Sequence, residues 1–372
     1  GWGDAFFAYI SKNLNLYGFD SNTNSPAYKA FRAANNSAGD EGDGNGSDQG
    51  KYDFAFQGIV ADTLSAKGDL LMNSGTKKTP AATTLVEPHF NESFLSGANS
   101  KNAKLGEVYH NVSFPFTKLE AFDDEKGVNY WWYDSSKTSL YLREDTTKKQ
   151  LYLGNKNNSG KTAGYVDEKS KNLDSSGRAY GEDRNEVKTQ YGFFPFNESL
   201  DQTCVASQYN YGYGAKLEIP FSITSDGKVD SSNMDKNGKK ERVPIRFYFS
   251  GDDDVWVFID DQLVLDVGGA HGKVSGILDF SQEDGSTNKV TAYVSKVKYG
   301  LYNDAYYGPT DKPQSVTKIK YIYDDKDTDY YQKNPVEIKG LTTGTHTLTM
   351  YYMERGMWES NMAVAFNFPD HN

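Results

Sequence analysis

Short runs in which every second residue is apolar recur along this chain, and this alternation constrains its fold more than any other feature. In AKLEIPFSIT the apolar positions are Leu217, Ile219, Phe221 and Ile223, and VPIRFYFSG repeats the pattern. Side chains of a β-strand point alternately to opposite faces, so such runs predict strands with one face in a core. Short β-rich runs between residues 105 and 155, separated by polar turns, predict an antiparallel meander.

The segment VWVFI, residues 255–259, differs because all of its residues are apolar. A strand that is apolar on both faces needs cover on both sides, and the two sheets of a sandwich cover only one of them. We therefore predict an antiparallel β-sandwich core in residues 191–372. Residues 1–190 are expected to form a long N-terminal elaboration packed on that core, so that the chain is one structural unit.

Two stretches near the N-terminus predict one or two short helices. They are FFAYISKNL and SPAYKAFRAAN, and in the second of them Ser25 and Pro26 resemble a cap followed by a first-turn proline. The fold class expected from the whole sequence is therefore all-β with a few short helices.

Charge and cysteine content exclude several classes of partner and cross-link. The chain has 51 acidic and 40 basic residues, a net charge of -11, which argues against nucleic acid or an anionic membrane surface as partner. Cys204 is the only cysteine, so no intrachain disulfide is possible. No apolar run of about 18 residues occurs, so no membrane insertion is expected. Because the chain starts at Gly1, we expect a mature fragment without its signal and anchor.

Three consecutive aspartates, Asp252, Asp253 and Asp254, stand directly before the apolar segment. Repulsion between adjacent carboxylates is relieved by water, by hydrogen bonds or by a cation. The triplet is therefore either a solvated turn or a site, and its carboxylate oxygens are the ligand type that calcium takes. A second acidic segment, NMDKNGKK (233–240), has EF-hand-like spacing, but Pro244 occupies the place of the bidentate glutamate, so we predict a hairpin turn there.

Two C-terminal motifs carry a resemblance to a known family. GDDDVWVFIDDQLVLDVGGAHG (251–272) resembles the core of the fibro-slime domain, a branch of the protective-antigen-type lectin fold that yeast flocculins share. The closing THTLTMYYMERGMWESN (345–361) resembles the last hairpin of that family. QGIV (57–60), YWWYDSS (130–136) and GFFPFN (192–197) resemble segments of large cell-wall adhesins of Gram-positive bacteria. The resemblance implies a jelly-roll-type, flocculin-like sandwich.

The resemblance also implies a calcium site built from two loops. Asp252 and Asp253 match the family's ligand pair, and Glu354 matches the side-chain ligand of the second loop. The carbonyl groups of Gly356 and Trp358 match the two backbone ligands.

Four residues around this implied ion are candidates for binding a ligand: Asp254, Trp358, Asn361 and His271. Trp358 either stacks on a sugar ring or plugs the end of the sandwich. His271, like Asp266, is also a candidate for fixing its loop by hydrogen bonds. Asp260 and Asp261 are expected to form the turn of the hairpin IDDQL.

Signals for catalysis are weak. None of the five histidines lies in HExxH or beside a nucleophile motif, and neither GxSxG nor a P-loop occurs. We therefore expect that this chain has no catalytic activity. The resemblance implies a secreted, calcium-dependent carbohydrate-binding adhesin module, a lectin for a terminal sugar of a host or environmental glycan, on a bacterial cell wall. The alternative is a protein-binding or structural adhesin module, for a host surface protein, whose calcium braces loops. The third hypothesis for the function of the chain is a glycan-cleaving enzyme.

Overall fold

A computed structural model describes the parts of the chain that form its sheets. The described residues are 9–19, 60–71, 106–119, 127–135, 140–154, 178–180, 187–190, 193–196, 213–251, 254–268, 274–281, 289–295, 315–321, 326–332, 336–338, 341, 343–354 and 360–369. Within these ranges the structure is all-β and contains no helix, and accordingly none long and apolar enough to cross a membrane.

The described ranges hold these strands, in chain order: β1 Tyr9–Phe19, β2 Gly106–Leu119, β3 Tyr130–Asp134, β4 Tyr141–Asp145, β5 Gln150–Gly154, β6 Arg178–Tyr180, β7 Val187–Gln190, β8 Tyr213–Ile223, β9 Lys228–Met234, β10 Lys240–Pro244, β11 Arg246–Gly251, β12 Asp254–Ile259, β13 Gln262–Val267, β14 Val274–Asp279, β15 Lys289–Ser295, β16 Ser315–Tyr321, β17 Lys326–Gln332, β18 Val336–Glu337, β19 Gly344–Glu354 and β20 Met362–Phe366.

Two antiparallel layers enclose the core. One has the strand order β13-β12-β19-β8-β1-β2, and the other has the order β3-β20-β11-β14-β15-β17-β16. Strand β2 belongs to both, because its last residues pair with β3 after its earlier ones have paired with β1. Val257 of the first layer and Phe247 and Val364 of the second are fully buried in one apolar cluster. The predicted all-β, sandwich-like fold class is confirmed.

The expected N-terminal helices find no counterpart in the described residues. The first expected helix runs into β1, which pairs with β2 on one side and β8 on the other. In NLNL, Leu14 and Leu16 alternate with asparagines, which is the period of a strand. The second expected helix, from Ser25, lies outside the described residues.

Strands from both halves of the sequence are hydrogen-bonded to one another. β1 lies between β2 and β8, and β3 lies between β2 and β20. The first 190 residues thus contribute strands to both layers. The boundary at residue 190 stays a prediction.

The outer face of β12 lies beside residues 60–71. Phe258 makes an edge-to-face contact with Tyr351 of β19, with ring centroids 6.0 Å apart. The hydroxyl of Tyr351 donates to the carbonyl of Gly68 at 2.5 Å, and the ammonium of Lys216 donates to the same carbonyl at 3.0 Å. A segment from the first half of the chain therefore borders the face that the sandwich core does not cover.

The predicted turn of the β12–β13 hairpin is confirmed. Asp260 and Asp261 both have positive φ angles, 45° and 69°, as a two-residue type I′ turn requires. One carboxylate oxygen of Asp260 accepts the backbone N–H of Thr347 at 3.1 Å, and the other lies 2.5 Å from Nδ1 of His346. Asp260 therefore ties the turn to the start of β19.

Changing Asp261 to glycine should stabilise the protein by about 0.5 kcal/mol. Glycine adopts a positive φ without a steric penalty, and part of this gain is lost to the greater freedom of the unfolded chain. Asp260→Gly is the matched control, because it relieves the same backbone conformation but removes both contacts to β19. The midpoint of urea unfolding should rise for Asp261→Gly and fall for Asp260→Gly; a lower midpoint for Asp261→Gly contradicts this account of the turn.

The predicted hairpin turn in residues 233–240 is also confirmed. It joins β9 and β10, and one carboxylate oxygen of Asp235 accepts the N–H groups of Asn237 and Lys239 at 2.8 and 2.9 Å. These two hydrogen bonds lower the pKa of the Asp235 carboxyl. The Asp235 carboxylate thus stabilises the turn by accepting two of its backbone N–H groups.

Candidate functional site

The strand ends that flank the predicted ligand segments lie together at one end of the sandwich. Gly251 at the end of β11 pairs with Met362 on one side and with Val274 on the other. Asp254 at the start of β12 pairs with Met353, near the end of β19. We call this end of the sandwich, defined by the ends of β11, β13 and β19 and the starts of β12, β14 and β20, the loop end.

Antiparallel pairing explains this convergence. A strand that ends at one edge of the sandwich is hydrogen-bonded to neighbours that begin there. Hence the connections β11–β12, β13–β14 and β19–β20 all leave from and return to the loop end. These connections overlap the two motifs that the sequence singled out, at 251–272 and 345–361.

The predicted site residues are only partly described. Outside the described residues lie Asp252, Asp253, His271, Gly356 and Trp358, and also the side chain of Glu354. Within the described ranges no group of three or more histidine, cysteine, aspartate or glutamate side chains could hold a metal ion. The strand ends that flank the predicted ligand segments lie in the same region.

Asp254 and Asn361 are both buried. Asp254 has no exposed surface and is engaged by neighbouring groups. Because Val255 belongs to the core cluster, the alternation of the strand places Asp254 on the outer face with Trp256. The Asp254 carboxylate therefore interacts with neighbouring groups at the start of β12 and is not accessible to solvent.

Gly251 and Asn361 bring two of the connections into close contact. A Cβ atom added to Gly251 would lie 2.2 Å from the carbonyl oxygen of Asn361. Real Cβ atoms do not approach an oxygen this closely, so only glycine permits this approach of the two backbones. The residue directly before Asp252 thus touches the residue directly before β20.

A buried group of hydroxyls, which we call the hydroxyl cluster, lies beneath the loop end. It consists of Tyr213, Tyr352 and Ser360, and each of the three has 2% or less of its surface exposed. The hydroxyls of Tyr352 and Ser360 are 3.0 Å apart, and the Tyr213 hydroxyl makes a short hydrogen bond with that of Ser360. Ser360 donates to the carbonyl of Phe193 at 2.8 Å.

Two segments from the first half of the chain also reach the loop end. The N–H of Phe193 donates to the carbonyl of Ser360 at 2.9 Å. Ser135 donates from its N–H to the carbonyl of Met362 at 2.8 Å, and its hydroxyl accepts the N–H of Met362 at 3.0 Å. GFFPFN and YWWYDSS therefore contribute to the same structural region as the C-terminal motifs.

Sequence reasoning missed Ser135, Ser360 and the two tyrosines. Both serines stand in segments that the sequence singled out, next to strand ends in YDSS and WESN. A small hydroxyl residue directly beside an apolar strand is the local signal that would have found them, because such a group needs a partner when it is buried.

Comparisons with known proteins identify relatives in a eukaryote. The chain is similar to Protein psiF of Dictyostelium discoideum, with 63% identity over 26% of this chain and 16% of the relative. It is also similar to Protein psiH (56% identity, 30% of this chain, 13% of the relative) and Protein psiO (37%, 23% and 9%) of the same organism. The chain thus spans about a sixth or less of the length of these relatives.

No protein-family model matches the chain, and no solved structure matches it. The assignment to the bacterial fibro-slime domain is therefore wrong, because the relatives are Dictyostelium proteins. The expected place on a Gram-positive cell wall is wrong for the same reason. The expected role as a carbohydrate-binding adhesin, and its protein-binding adhesin alternative, depended on that assignment and are overturned with it.

Proposed function

We propose that this chain is a non-catalytic β-sandwich module of a longer protein and that it binds calcium at the loop end. The observation that carries the proposal is the convergence of the β11–β12 and β19–β20 connections on adjacent strand ends. One connection begins with Asp252 and Asp253, and the other begins at Glu354, about a hundred residues later. The pairing of Asp254 with Met353 supports this proposal, because these two residues directly follow Asp253 and directly precede Glu354 in the sequence.

The donor set at the loop end suits calcium. Carboxylate and backbone carbonyl oxygens are hard ligands, and calcium takes six to eight of them in flexible geometry. Asp252, Asp253 and Glu354 would supply carboxylates, and Gly356 and Trp358 would supply carbonyls. An ion there would neutralise part of the repulsion between adjacent carboxylates.

Calcium should stabilise the wild-type chain and should do so much less in the double variant Asp252→Asn, Asp253→Asn. At about a hundred times its Kd, calcium should raise the free energy of unfolding by about 2.7 kcal/mol. The double variant removes two anionic ligands while keeping the size of both side chains. Chemical unfolding in calcium and in chelator measures the difference.

Asp235→Asn is the matched control for this experiment. It removes a carboxylate of the same type from the β9–β10 turn, where the group accepts two backbone N–H groups. Asp235→Asn should lower stability equally with and without calcium, leaving the calcium effect intact. The proposal fails if calcium leaves the wild type unchanged, or if it stabilises the double variant as much as the wild type.

A further inference from the structure

We propose that the tip of the β9–β10 hairpin docks on an acidic turn of a second copy of this chain. The tip comprises residues 234–240, and we call it the basic tip. The acidic turn comprises Asp260 and Asp261, which join β12 to β13, and Asp62, which lies beside them. This inference goes beyond the proposed function, because it involves neither calcium nor the loop end.

The base of the β9–β10 hairpin is packed on the second layer. The two strands form a sheet of their own, in which Val229 and Val243 pair across the hairpin. Val243 is buried in one apolar cluster with Tyr248 and Ile277, which belong to strands of the second layer. Val229 packs against the same cluster. The hairpin is therefore fixed to the sandwich by its apolar side chains.

Polar contacts fix the hairpin further along its length. The guanidinium of Arg242 donates to the carboxylates of Asp226 and Asp230 at 2.6 and 3.1 Å. Nearer the tip, the N–H and the hydroxyl of Ser232 both donate to the carbonyl of Gly127, each at 2.9 Å. An element that is already ordered loses little conformational freedom when it binds a partner, which favours its use in docking.

The basic tip presents positive charge and one apolar side chain to solvent. Residues 236–240 are all exposed, and Met234, directly opposite Lys240 in the ladder, is 57% exposed. Met234 is the only exposed large hydrophobic residue in the part of the chain that the structure describes. The tip contains three lysines and one aspartate, a net charge of +2 on a chain whose net charge is -11. This combination suits an acidic protein surface.

The acidic turn presents the opposite charge in an equally fixed position. The N–H of Leu64 donates to the carbonyl of Asp261 at 2.9 Å, and the N–H of Leu263 donates to the carbonyl of Asp62 at 2.8 Å. These backbone hydrogen bonds hold Asp62 beside the β12–β13 turn. All three aspartates of the acidic turn are exposed. Asp260 already ties the turn to β19, so Asp62 and Asp261 are the carboxylates available to the lysines of another chain.

Charge complementarity between these two surfaces favours a second copy of the chain as the partner. Every copy carries one basic tip and one acidic turn, each held in place by the contacts described above. Surfaces of opposite charge steer the encounter of two molecules and fix their register. Because the two surfaces are unlike, the contact forms reciprocally in a dimer or repeats from copy to copy. Self-association of this chain should therefore depend on the salt concentration.

Sedimentation velocity of the full chain, in chelator and over a range of concentrations, tests the inference. The mean mass should rise with concentration at about 0.1 M salt and much less at about 1 M, because the Debye length falls from about 10 Å to about 3 Å. The variant Lys236→Glu, Lys240→Glu should associate at least about 10-fold more weakly, because like charges then face each other. The control Lys148→Glu, Lys149→Glu makes the same change of net charge in the β4–β5 turn and should associate as the wild type does.

Exchanging the charges of the two surfaces should restore association. Adding Asp62→Lys and Asp261→Lys to the reversed tip makes the tip acidic and the turn basic, so the surfaces are complementary again. Lysine tolerates the positive φ of position 261, since Lys149 already has a φ of 51° in this chain. Asp62→Lys, Asp261→Lys alone should associate as weakly as the reversed tip alone. Urea unfolding checks that each variant is folded, and Asp62→Asn, Asp261→Asn replaces the lysine pair if that pair does not fold.

A wild type that stays monomeric at every concentration and salt overturns the inference. Association that persists unchanged in the reversed tip overturns it as well, because the tip would then not be part of the contact. An equal loss in the β4–β5 control also overturns it, because net charge alone would then explain the effect. If exchanging the charges does not restore association, or neutral asparagines at 62 and 261 do not weaken it, the acidic turn is not the docking surface. None of these results bears on calcium binding at the loop end.

Discussion

Replacing Gly251 by alanine should destabilise the protein by about 3 kcal/mol, the upper end of the range for overpacked sites. The added methyl would lie 2.2 Å from the carbonyl oxygen of Asn361 and 2.7 Å from the ring of Phe249. The closer obstacle is backbone, and Asn361 is only 5% exposed, so neither group can move aside cheaply. Chemical unfolding measures the loss.

The control for this variant is Gly238→Ala in the β9–β10 turn. Gly238 has a φ of 76° and no atom within 4 Å of an added Cβ. Its substitution should cost only the backbone penalty of about 1 kcal/mol. If Gly251→Ala is as stable as Gly238→Ala, the contact between the two connections at the loop end is not as close as described.

Replacing Phe193 by alanine should destabilise the protein by about 3 to 5 kcal/mol. Its ring is fully buried and lies within 6.1 Å, centroid to centroid, of four other aromatic rings. Those rings belong to Phe114, Tyr133, Tyr213 and Tyr352. Truncation would leave a cavity between strands of both layers and remove support from the hydroxyl cluster.

Phe196→Ala is the control, because Phe196 lies in the same segment but is only partly buried against the core. Its ring contacts Tyr109 and Tyr213 at 5.7 and 6.1 Å. It should lose clearly less stability than Phe193→Ala when both are unfolded in denaturant. Equal losses would mean that Phe193 is not the centre of the aromatic packing at the loop end.

Local patterns in the sequence were sufficient to predict the strands and turns with a clear apolar alternation or turn chemistry. The alternation in AKLEIPFSIT gives β8, and the fully apolar VWVFI is buried on both faces in β12. These features depend on residues close in sequence, whose side chains report directly on which faces are covered. The turn at Asp260 and Asp261 follows in the same way from two residues that tolerate a positive φ.

Such local patterns do not predict which strands pair with one another when the strands are far apart in sequence. The segment around Leu14 was expected to be helical and is a strand because β2 and β8 pair with it. The contact between Ser360 and Phe193 joins residues 167 positions apart, so no local pattern indicates it. Only the pairing of strands reveals that these residues share one end of the sandwich.

The family assignment failed for a related reason. The motifs that carried the resemblance are mostly strands and turns, whose pattern reflects burial and backbone geometry. A fold pattern does not determine function, because function depends on sites that many folds can carry. The predicted ligand segments 252–253 and 355–359 are therefore tested best by direct measurement of calcium binding.

Terbium luminescence tests most directly whether the two connections meet at one calcium ion. Terbium takes the oxygen ligands of calcium and emits when a nearby tryptophan is excited, and Trp256 lies two residues from Asp254. The account predicts emission from the wild type that calcium displaces, its loss in Asp252→Asn, Asp253→Asn, and a marked reduction in Glu354→Gln. Emission that calcium does not displace, or that both variants retain in full, would contradict a shared site.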